Sequence, residues 1–303
     1  MLTRFAPSPT GALHLGNART FLITHALATR AGGSAFLRMD DLETPRVKRG
    51  AEAQALQDLA WLGVEWVGKT ICQSQRRALY DEALKRLRDA ESIYDCSCTR
   101  TRVAQDSPGN ADDGAAIYGG RCRGGGLAEF RSTARLRIDG DARWHDGFFG
   151  EQVYPASALG DIVVRRHDGS PSYQLASSTD DVELGVTHVI RGADLLASTA
   201  RQVFIARALS IEERLPAFIH LPLVRGPDGR KLAKRHGDTR LAQLREEGVT
   251  AGQVRALLAR LSGFEPSGEE IGVGEWVERF RLDKLPREDA RYDDATDRPR
   301  PLK

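Results

Sequence analysis

Apolar residues recur along this chain with a spacing that changes several times, and each change marks an element. Thr3 to Ala6 reads as a strand that breaks into a Pro/Gly loop. Leu15 to about Ala31 carries Phe21, Leu22, Ala26 and Leu27 on one side, the period of a helix, and Gly32-Gly33 ends it. Ser34 to Met39 follows as a second strand, so the opening segment is a strand–helix–strand unit that implies a parallel sheet. Lys48 to Leu62 is amphipathic through Ala55, Leu56, Leu59 and Leu62 and stops at Gly63, and Leu79, Tyr80, Ala83, Leu84 and Leu87 mark another helix.

From Asp95 to Gly126 the periodicity disappears, Gly becomes frequent and cysteines appear. Such a stretch buries no core of its own unless something ties it together. Leu136 to about Gly185 predicts short strands, including Asp161 to Arg165, with a hairpin turn at Asp168-Gly169. Ser198 to Ser210 predicts a helix and His220 to Val224 a strand. After Leu241 the pattern is mostly helical to about Leu285, and Arg287 to Lys303, rich in charge with two prolines, predicts a frayed tail. The expected organisation is α/β: residues 1–94 and 136–240 form the two halves of a split nucleotide-binding core. Residues 95–135 form an insertion and 241–303 a helical C-terminal extension.

Composition narrows the picture only a little. A chain of 303 residues with 41% hydrophobic and 28% charged residues is that of an ordinary globular protein, and no apolar run approaches the ~20 residues of a membrane span. Its start, Met1-Leu-Thr-Arg-Phe, has no signal-peptide architecture, so the cytoplasm is the expected location. A net charge of +2 argues against a polyanion coat and leaves room for a local basic face. Four cysteines do not make a disulfide scaffold. Cys96-Ser-Cys98 followed by Cys122 offers three thiolates to a zinc ion, but the spacing alone balances that against simple buried thiols, and Cys72 stands apart.

Two segments carry the chemistry. Arg4-Phe-Ala-Pro-Ser-Pro-Thr-Gly-Ala-Leu-His-Leu-Gly-Asn17 is strand, tight loop and helix start, which points backbone N–H groups and a positive dipole end at an anion. Lys231-Leu-Ala-Lys-Arg235 places two lysines in a Gly/Pro-bounded loop that could reach the same anion. Neither follows the Walker pattern or the Gly-x-Gly-x-x-Gly dinucleotide fingerprint. A lone histidine at a helix start is ordinarily a cap, and loop lysines are ordinarily solvated charge; the two segments together, in this order and with these flanks, point to phosphate chemistry.

Together they resemble the HIGH and KMSKS signatures of class I aminoacyl-tRNA synthetases, in the glutamyl branch. Leu37-Arg-Met-Asp-Asp-Leu-Glu-Thr-Pro-Arg46, Tyr173-Gln-Leu-Ala-Ser-Ser-Thr-Asp-Asp181 and Gly185-Val-Thr-His-Val-Ile-Arg-Gly-Ala-Asp194 extend the likeness over roughly Leu2 to Leu244. The resemblance implies a Rossmann-like parallel-sheet core with a zinc-containing insertion and a short helical C-terminal extension. It implies His14 and Lys234 as catalytic residues, and His14, Gly16, Asn17, Lys231 and Lys234 as the ATP site, with Mg2+ accompanying ATP although no ligand motif for it is visible. Asn17 stands where the signature has its last His, which implies a weaker or water-mediated contact, and Ala233 stands where a Ser is usual, which implies slower adenylation. For L-glutamate the resemblance implies Arg4 and Arg191 on the carboxylates, Glu43 on the ammonium, Tyr173 closing the pocket, and Phe5, Ala6, Pro7 and Ser8 around it. For the metal it implies Cys96, Cys98, Tyr118 and Cys122.

The chain ends before the large helical anticodon-binding region of full glutamyl-tRNA synthetases. The expectation is therefore the stand-alone type that makes glutamyl adenylate and transfers glutamate to queuosine at anticodon position 34 of tRNA(Asp), acting as a monomer. Three alternatives stand beside it: a truncated discrete glutamyl-tRNA synthetase charging a 3′ end, a small-molecule nucleotidyltransferase sharing the His-x-Gly loop, and an inactive RNA-binding module. Arg100, Arg102, Arg121, Arg123 and Arg131 concentrate positive charge around the insertion, as an RNA contact or as a solvated loop in equal measure.

Overall fold

The computed structural model describes residues 1–9, 12–42, 50–125, 132–230, 232 and 239–301. They divide into two units: residues 1–72, 190–193 and 221–303 form the first, and 73–189 and 194–220 the second.

In the first unit β1 (Leu2–Phe5), α1 (Leu15–Arg30) and β2 (Ser34–Met39) form the expected strand–helix–strand unit, with β1 and β2 parallel in the register Arg4 opposite Phe36. Helix α2 (Ala51–Leu62) leads to β3 (Val67–Cys72), parallel to β2, so the sheet runs β1-β2-β3. The single-sided reading of α1 is too narrow. Leu15, Ala18, Phe21, Leu22, Ile23, Ala26 and Ala28 are all buried, because later helices of the same unit cover the faces the sheet does not.

The second unit opens with α3 (Arg77–Asp89), whose Tyr80, Ala83, Leu84 and Leu87 are buried at helical spacing. It continues through β4 (Ile93–Cys96), α4 (Arg100–Gln105) and β5 (Thr133–Leu136) to the hairpin β6 (Asp141–Asp146) and β7 (Gly150–Pro155), then β8 (Ile162–Arg165). Strands β4-β5-β8 make an antiparallel sheet. Gly169 turns the chain back so that Arg165 bridges Pro171. There the expected run of strands ends: Tyr173–Glu183 is helix α5, not strand. Ser172 caps it by accepting from Leu175 N–H at 3.2 Å, and every residue from Leu175 to Val182 is buried, so no polar face betrays the helical period. Strand β9 (His188–Gly192), whose last three residues count with the first unit, is followed by α6 (Leu196–Ala208) and β10 (Ala217–Leu221); the strands order as β7-β6-β10-β9, and the second unit's core includes Leu87, Leu136, Val164, Leu175, Val203 and Phe204.

The expected strand from His220 to Val224 is broken at Pro222, which has no N–H to give a ladder. A separate β11 (Val224–Arg225) follows, then α7 (Leu241–Glu246), α8 (Ala251–Arg260) and α9 (Val273–Arg279). The expectation of a frayed tail is corrected. Strand β12 (Ala290–Arg291) pairs with β11, Asp289 accepts from Leu223 N–H at 2.6 Å, Tyr292 is fully buried, and a last turn, α10 (Asp294–Asp297), precedes Arg298, which pairs with Glu247 and Asp294. Among the described residues no helix is long and apolar enough to cross a membrane.

Candidate functional site

The chain enters α1 through His14, and local bonds fix its ring. His14 is the N-cap, at φ −122° and ψ 171°; its Nδ1 accepts from Gly16 N–H at 3.1 Å, and Asn17 Oδ1 accepts from His14 N–H at 3.3 Å. This is a capping box with a histidine where Ser or Thr is usual. A neutral imidazole whose Nδ1 accepts carries its proton on Nε2, which is then the donor it can offer to an anion at the helix start. Gly16 leaves room for this pose: a Cβ there would stand 3.1 Å from His14 Cε1 and 3.2 Å from Nδ1. Asn17, expected at the nucleotide, uses its oxygen to hold the cap.

The segment after the lysine loop is fastened to the same corner. Leu15 N–H donates to Thr239 O at 3.1 Å, Leu241 N–H donates to Leu13 O at 2.9 Å, and His14 bridges Arg240. The flanks of the two signatures, far apart in sequence, are therefore neighbours within one unit. Lys231 and Lys234 themselves, with Ala233, lie outside the described residues, as does Glu43.

Arg4 on β1 and Arg191 on β9 are each 4% exposed. Guanidiniums held at that depth have little freedom, which suits a bidentate grip on a carboxylate. Asp40 N–H donates to Pro7 O at 3.1 Å, tying the loop after β1 to the end of β2; Ala6 is half-buried, Pro7 buried and Ser8 exposed. The Phe5 ring is fully buried and meets Phe21 edge-on at 5.8 Å, so its side chain packs in the core while its backbone continues into the loop after β1. Tyr173, half-buried, is the first residue of α5 in the second unit.

Sequence reasoning missed three buried polar clusters. Arg38 and Asp40 form a bidentate pair, Nε to Oδ1 at 2.7 Å and Nη2 to Oδ2 at 3.3 Å, with Arg38 fully buried. An arginine inside an apolar strand with Asp two positions on, hence on the same face, was the available signal. Asp180 accepts from Gln73 Nε2 at 2.9 Å, Arg76 Nε at 2.7 Å and Tyr80 OH at 2.8 Å, which joins α5 to the start of α3. Thr199 Oγ1 lies 2.9 Å from His220 Nε2, and His220 Nδ1 lies 2.6 Å from Asp146 Oδ2. That order imitates a nucleophilic relay, but all three side chains are enclosed, so the chain of bonds is structural.

The cysteines come together as a second centre. Cys96 ends β4, Cys98 precedes the Thr99 cap of α4, and Cys122 lies in a turn whose N–H donates to Tyr118 OH at 2.7 Å. Cys98 Sγ is 3.6 Å from Cys122 Sγ, Tyr118 OH is 3.4 Å from Cys96 Sγ and 3.9 Å from Cys98 Sγ, and the three sulfurs lie within 4.8 Å of one another. Tetrahedral zinc with bonds of ~2.3 Å has ligand–ligand edges of about 3.8 Å, so these residues fit a metal ion. Burial works against the Cys122 thiolate, but hydrogen bonds from Tyr118 and Ser97 and from the other thiols outweigh it and bring Cys122 down to about 7. Burial pushes Cys98 up to about 11 and raises the Tyr118 phenol, and a cation bound here would have to displace both protons. The arginines around it are largely answered: Arg102 and Arg121 pair with Asp106, and Arg123 with Asp139 and Asp161. Arg100 is exposed, and Arg131 lies outside the described residues.

Residues 1–279 match the family model described as tRNA synthetases class I (E and Q), catalytic domain. The Glutamyl-Q tRNA(Asp) synthetase of Symbiobacterium thermophilum is 43% identical over 95% of this chain and 94% of its own length. The Glutamate--tRNA ligase of Oleidesulfovibrio alaskensis is 38% identical over 97% of this chain, which spans 64% of that protein. The crystal structure of a glutamate tRNA ligase from Elizabethkingia meningosepticum, in complex with its amino acid, superposes with a TM-score of 0.80 at 29% identity, covering 97% of this chain and 67% of that one.

Proposed function

Because the chain belongs to the class I tRNA synthetase (E and Q) catalytic-domain family, we propose that it activates L-glutamate with ATP and passes it to queuosine at position 34 of tRNA(Asp). In the first step a glutamate α-carboxylate oxygen attacks the α-phosphorus of ATP, the bond to pyrophosphate breaks, and pyrophosphate leaves. The protein has no covalent part in this; it positions the reactants and meets the charge that builds on phosphate. His14 donates from Nε2, Lys231 and Lys234 follow the moving phosphates as adaptable point charges, and Gly16 lets the His14 ring close over the helix start. Arg4 and Arg191 hold the carboxylates, Glu43 the ammonium, and Tyr173 with Ala6, Pro7 and Ser8 completes the pocket. In the second step a hydroxyl of the queuosine cyclopentenediol attacks the acyl carbon, AMP leaves and the hydroxyl proton is lost. Mg2+ bound to ATP would spread charge over the phosphates. Zn2+ held by Cys96, Cys98, Tyr118 and Cys122 would tie together residues that have little core of their own. The protein works as a cytoplasmic monomer in this reading.

The observation that carries adenylate formation is the bonding of the His14 corner to Thr239 and Leu241, immediately after the lysine loop. The choice of acceptor rests on the likeness to the Symbiobacterium protein along almost the whole of both chains. The test is transfer of labelled glutamate to tRNA(Asp) with and without queuosine, beside tRNA(Glu), each lacking its 3′-terminal adenosine. Label on queuosine-containing tRNA(Asp) alone is the expected result. No label there, with label on intact tRNA(Glu), makes this a charging enzyme. No glutamate-dependent exchange of pyrophosphate into ATP overturns both.

A further inference from the structure

A tyrosine is an uncommon metal ligand, because its oxygen must carry negative charge in a place where burial disfavours it. The surroundings of Tyr118 contain an answer. The Arg135 guanidinium lies over the Tyr118 ring, its carbon 3.9 Å from the ring centroid. Arg135 is on β5, 8% exposed, and donates from Nη1 to the Asp161 carbonyl at 2.9 Å. Its buried Nε has no hydrogen-bond partner, and no carboxylate pairs with this side chain among the described residues. The neighbouring acids are engaged elsewhere: the Asp161 carboxylate takes Tyr94 OH at 2.6 Å, Ile138 N–H at 3.1 Å and Arg123 at 3.4 Å. A buried guanidinium without a carboxylate is costly unless another anion faces it.

We propose that Arg135 is the counter-ion of the metal centre and sets Tyr118 as its fourth ligand; this rests on the metal reading above. Zn2+ with three thiolates and a phenolate carries a net charge of roughly −2. A guanidinium placed over the phenolate face offsets part of that charge by Coulomb attraction and by the cation–π contact, without competing for the oxygen. The oxygen is left for the metal and for the Cys122 N–H that already donates to it.

The backbone completes the device from the other side. Tyr118 forms a parallel bridge with Gly160, and a Cβ on Gly160 would stand 2.6 Å from Tyr118 N and 2.7 Å from its O, with Gly160 itself at φ +66°. Only glycine permits this approach. Tyr118 is thus held by its backbone at Gly160 and by its ring under Arg135, which leaves the phenol oxygen one direction to point. Arg135 is a positioning residue, since it touches the ligand and not the ion.

The experiment measures zinc release to a chelator and the absorption spectrum of the cobalt-substituted protein for Arg135→Gln, Arg135→Lys, Tyr118→Phe and the Arg135→Gln/Tyr118→Phe pair. Melting of each metal-free variant checks that it folds. Arg135→Gln is expected to speed release by about tenfold to a hundredfold, the usual range for a residue that orients a ligand, and to alter the cobalt spectrum. Arg135→Lys, which keeps the charge, should recover part of the loss. With Phe at position 118 the ring remains but the ligand oxygen is gone, so adding Arg135→Gln should change release no further. Equal effects of Arg135→Gln with and without the Tyr118 oxygen would mean that Arg135 merely supports the fold, and the inference fails. A wild-type protein that takes up neither zinc nor cobalt overturns the metal reading itself, a result distinct from a metal-loaded wild type indifferent to Arg135.

Discussion

Replacing Gly16 by alanine separates stability from catalysis at the start of α1. Gly16 is the second helical residue and has ordinary helical backbone, so alanine there should favour the helix by about 0.5–1 kcal/mol. Its Cβ, however, would sit 3.1 Å from His14 Cε1 and 3.2 Å from Nδ1, short of relaxed contact by several tenths of an ångström. The helix backbone cannot yield that distance, so the imidazole must swing and lengthen its 3.1 Å bond from Gly16 N–H. Losing that bond costs about 1 kcal/mol, which roughly cancels the helix gain and leaves the melting temperature within ~3 °C of wild type. Catalysis feels the swing undiluted, because a donor to a phosphate in flight tolerates little misplacement. A loss of roughly tenfold to a hundredfold in kcat for glutamate-dependent pyrophosphate exchange is expected, or about 1.4–2.7 kcal/mol. His14→Ala, removing the donor outright, should lose about 10²–10³ and serves as the reference. Exchange by Gly16→Ala within about twofold of wild type, with His14→Ala strongly impaired, would refute the claim that ring placement limits this step.

Arg191→Ala should raise the KM for glutamate far more than that for ATP; equal changes in steady-state exchange assays would remove Arg191 from the carboxylate pocket. Cys98→Ser should lower metal content and melting temperature while leaving the glutamate KM alone, and normal zinc with normal melting would sink the metal assignment. Asp146 is held below the ordinary carboxylate range: burial opposes this, and bonds from His220 and from the Phe149 and Phe148 N–H groups outweigh it. Its stabilisation is complete above the unfolded value of ~3.9 and is lost as pH falls through the lower folded value. Asp146→Asn should therefore cost about 3 kcal/mol at neutral pH and flatten the loss of stability below about pH 4, and an unchanged acid limb in melting experiments would contradict this.

Much of the fold was legible because its signals are local. β1, α1, β2, α2 and α3 fall where spacing, Gly32-Gly33 and Gly63 place them. The helix at Tyr173–Glu183 was not legible, since Ser177, Ser178 and Thr179 have modest helix propensity and enclosure on every side removed the polar stripe. Pro171-Ser172, a proline before a capping serine, was the one local signal available. The tail was misjudged for a different reason: its order comes from Leu223, Arg225 and Glu247, partners that composition around Arg298 cannot announce.

The same distinction explains which parts of the candidate site could be read. A motif is readable when one short segment presents the chemistry, as with His14, Gly16 and Asn17 around a helix start, or Cys96 and Cys98 at a strand end. Even there the sequence could not tell that Asn17 serves the His14 backbone, because Asn is equally suited to a ligand and to a cap. Buried charges obey a harder rule. Each needs a counter-charge or several donors in three dimensions, and the chain separation of those partners is unconstrained. Arg38 finds Asp40 two residues away, the buried Asp180 finds Arg76 more than a hundred away, and Arg135 finds the face of the Tyr118 ring. Reading sequence for arginines in apolar surroundings therefore locates positions that must be answered, while the identity of the answer, acid, carbonyl or aromatic face, is a property of the folded chain alone.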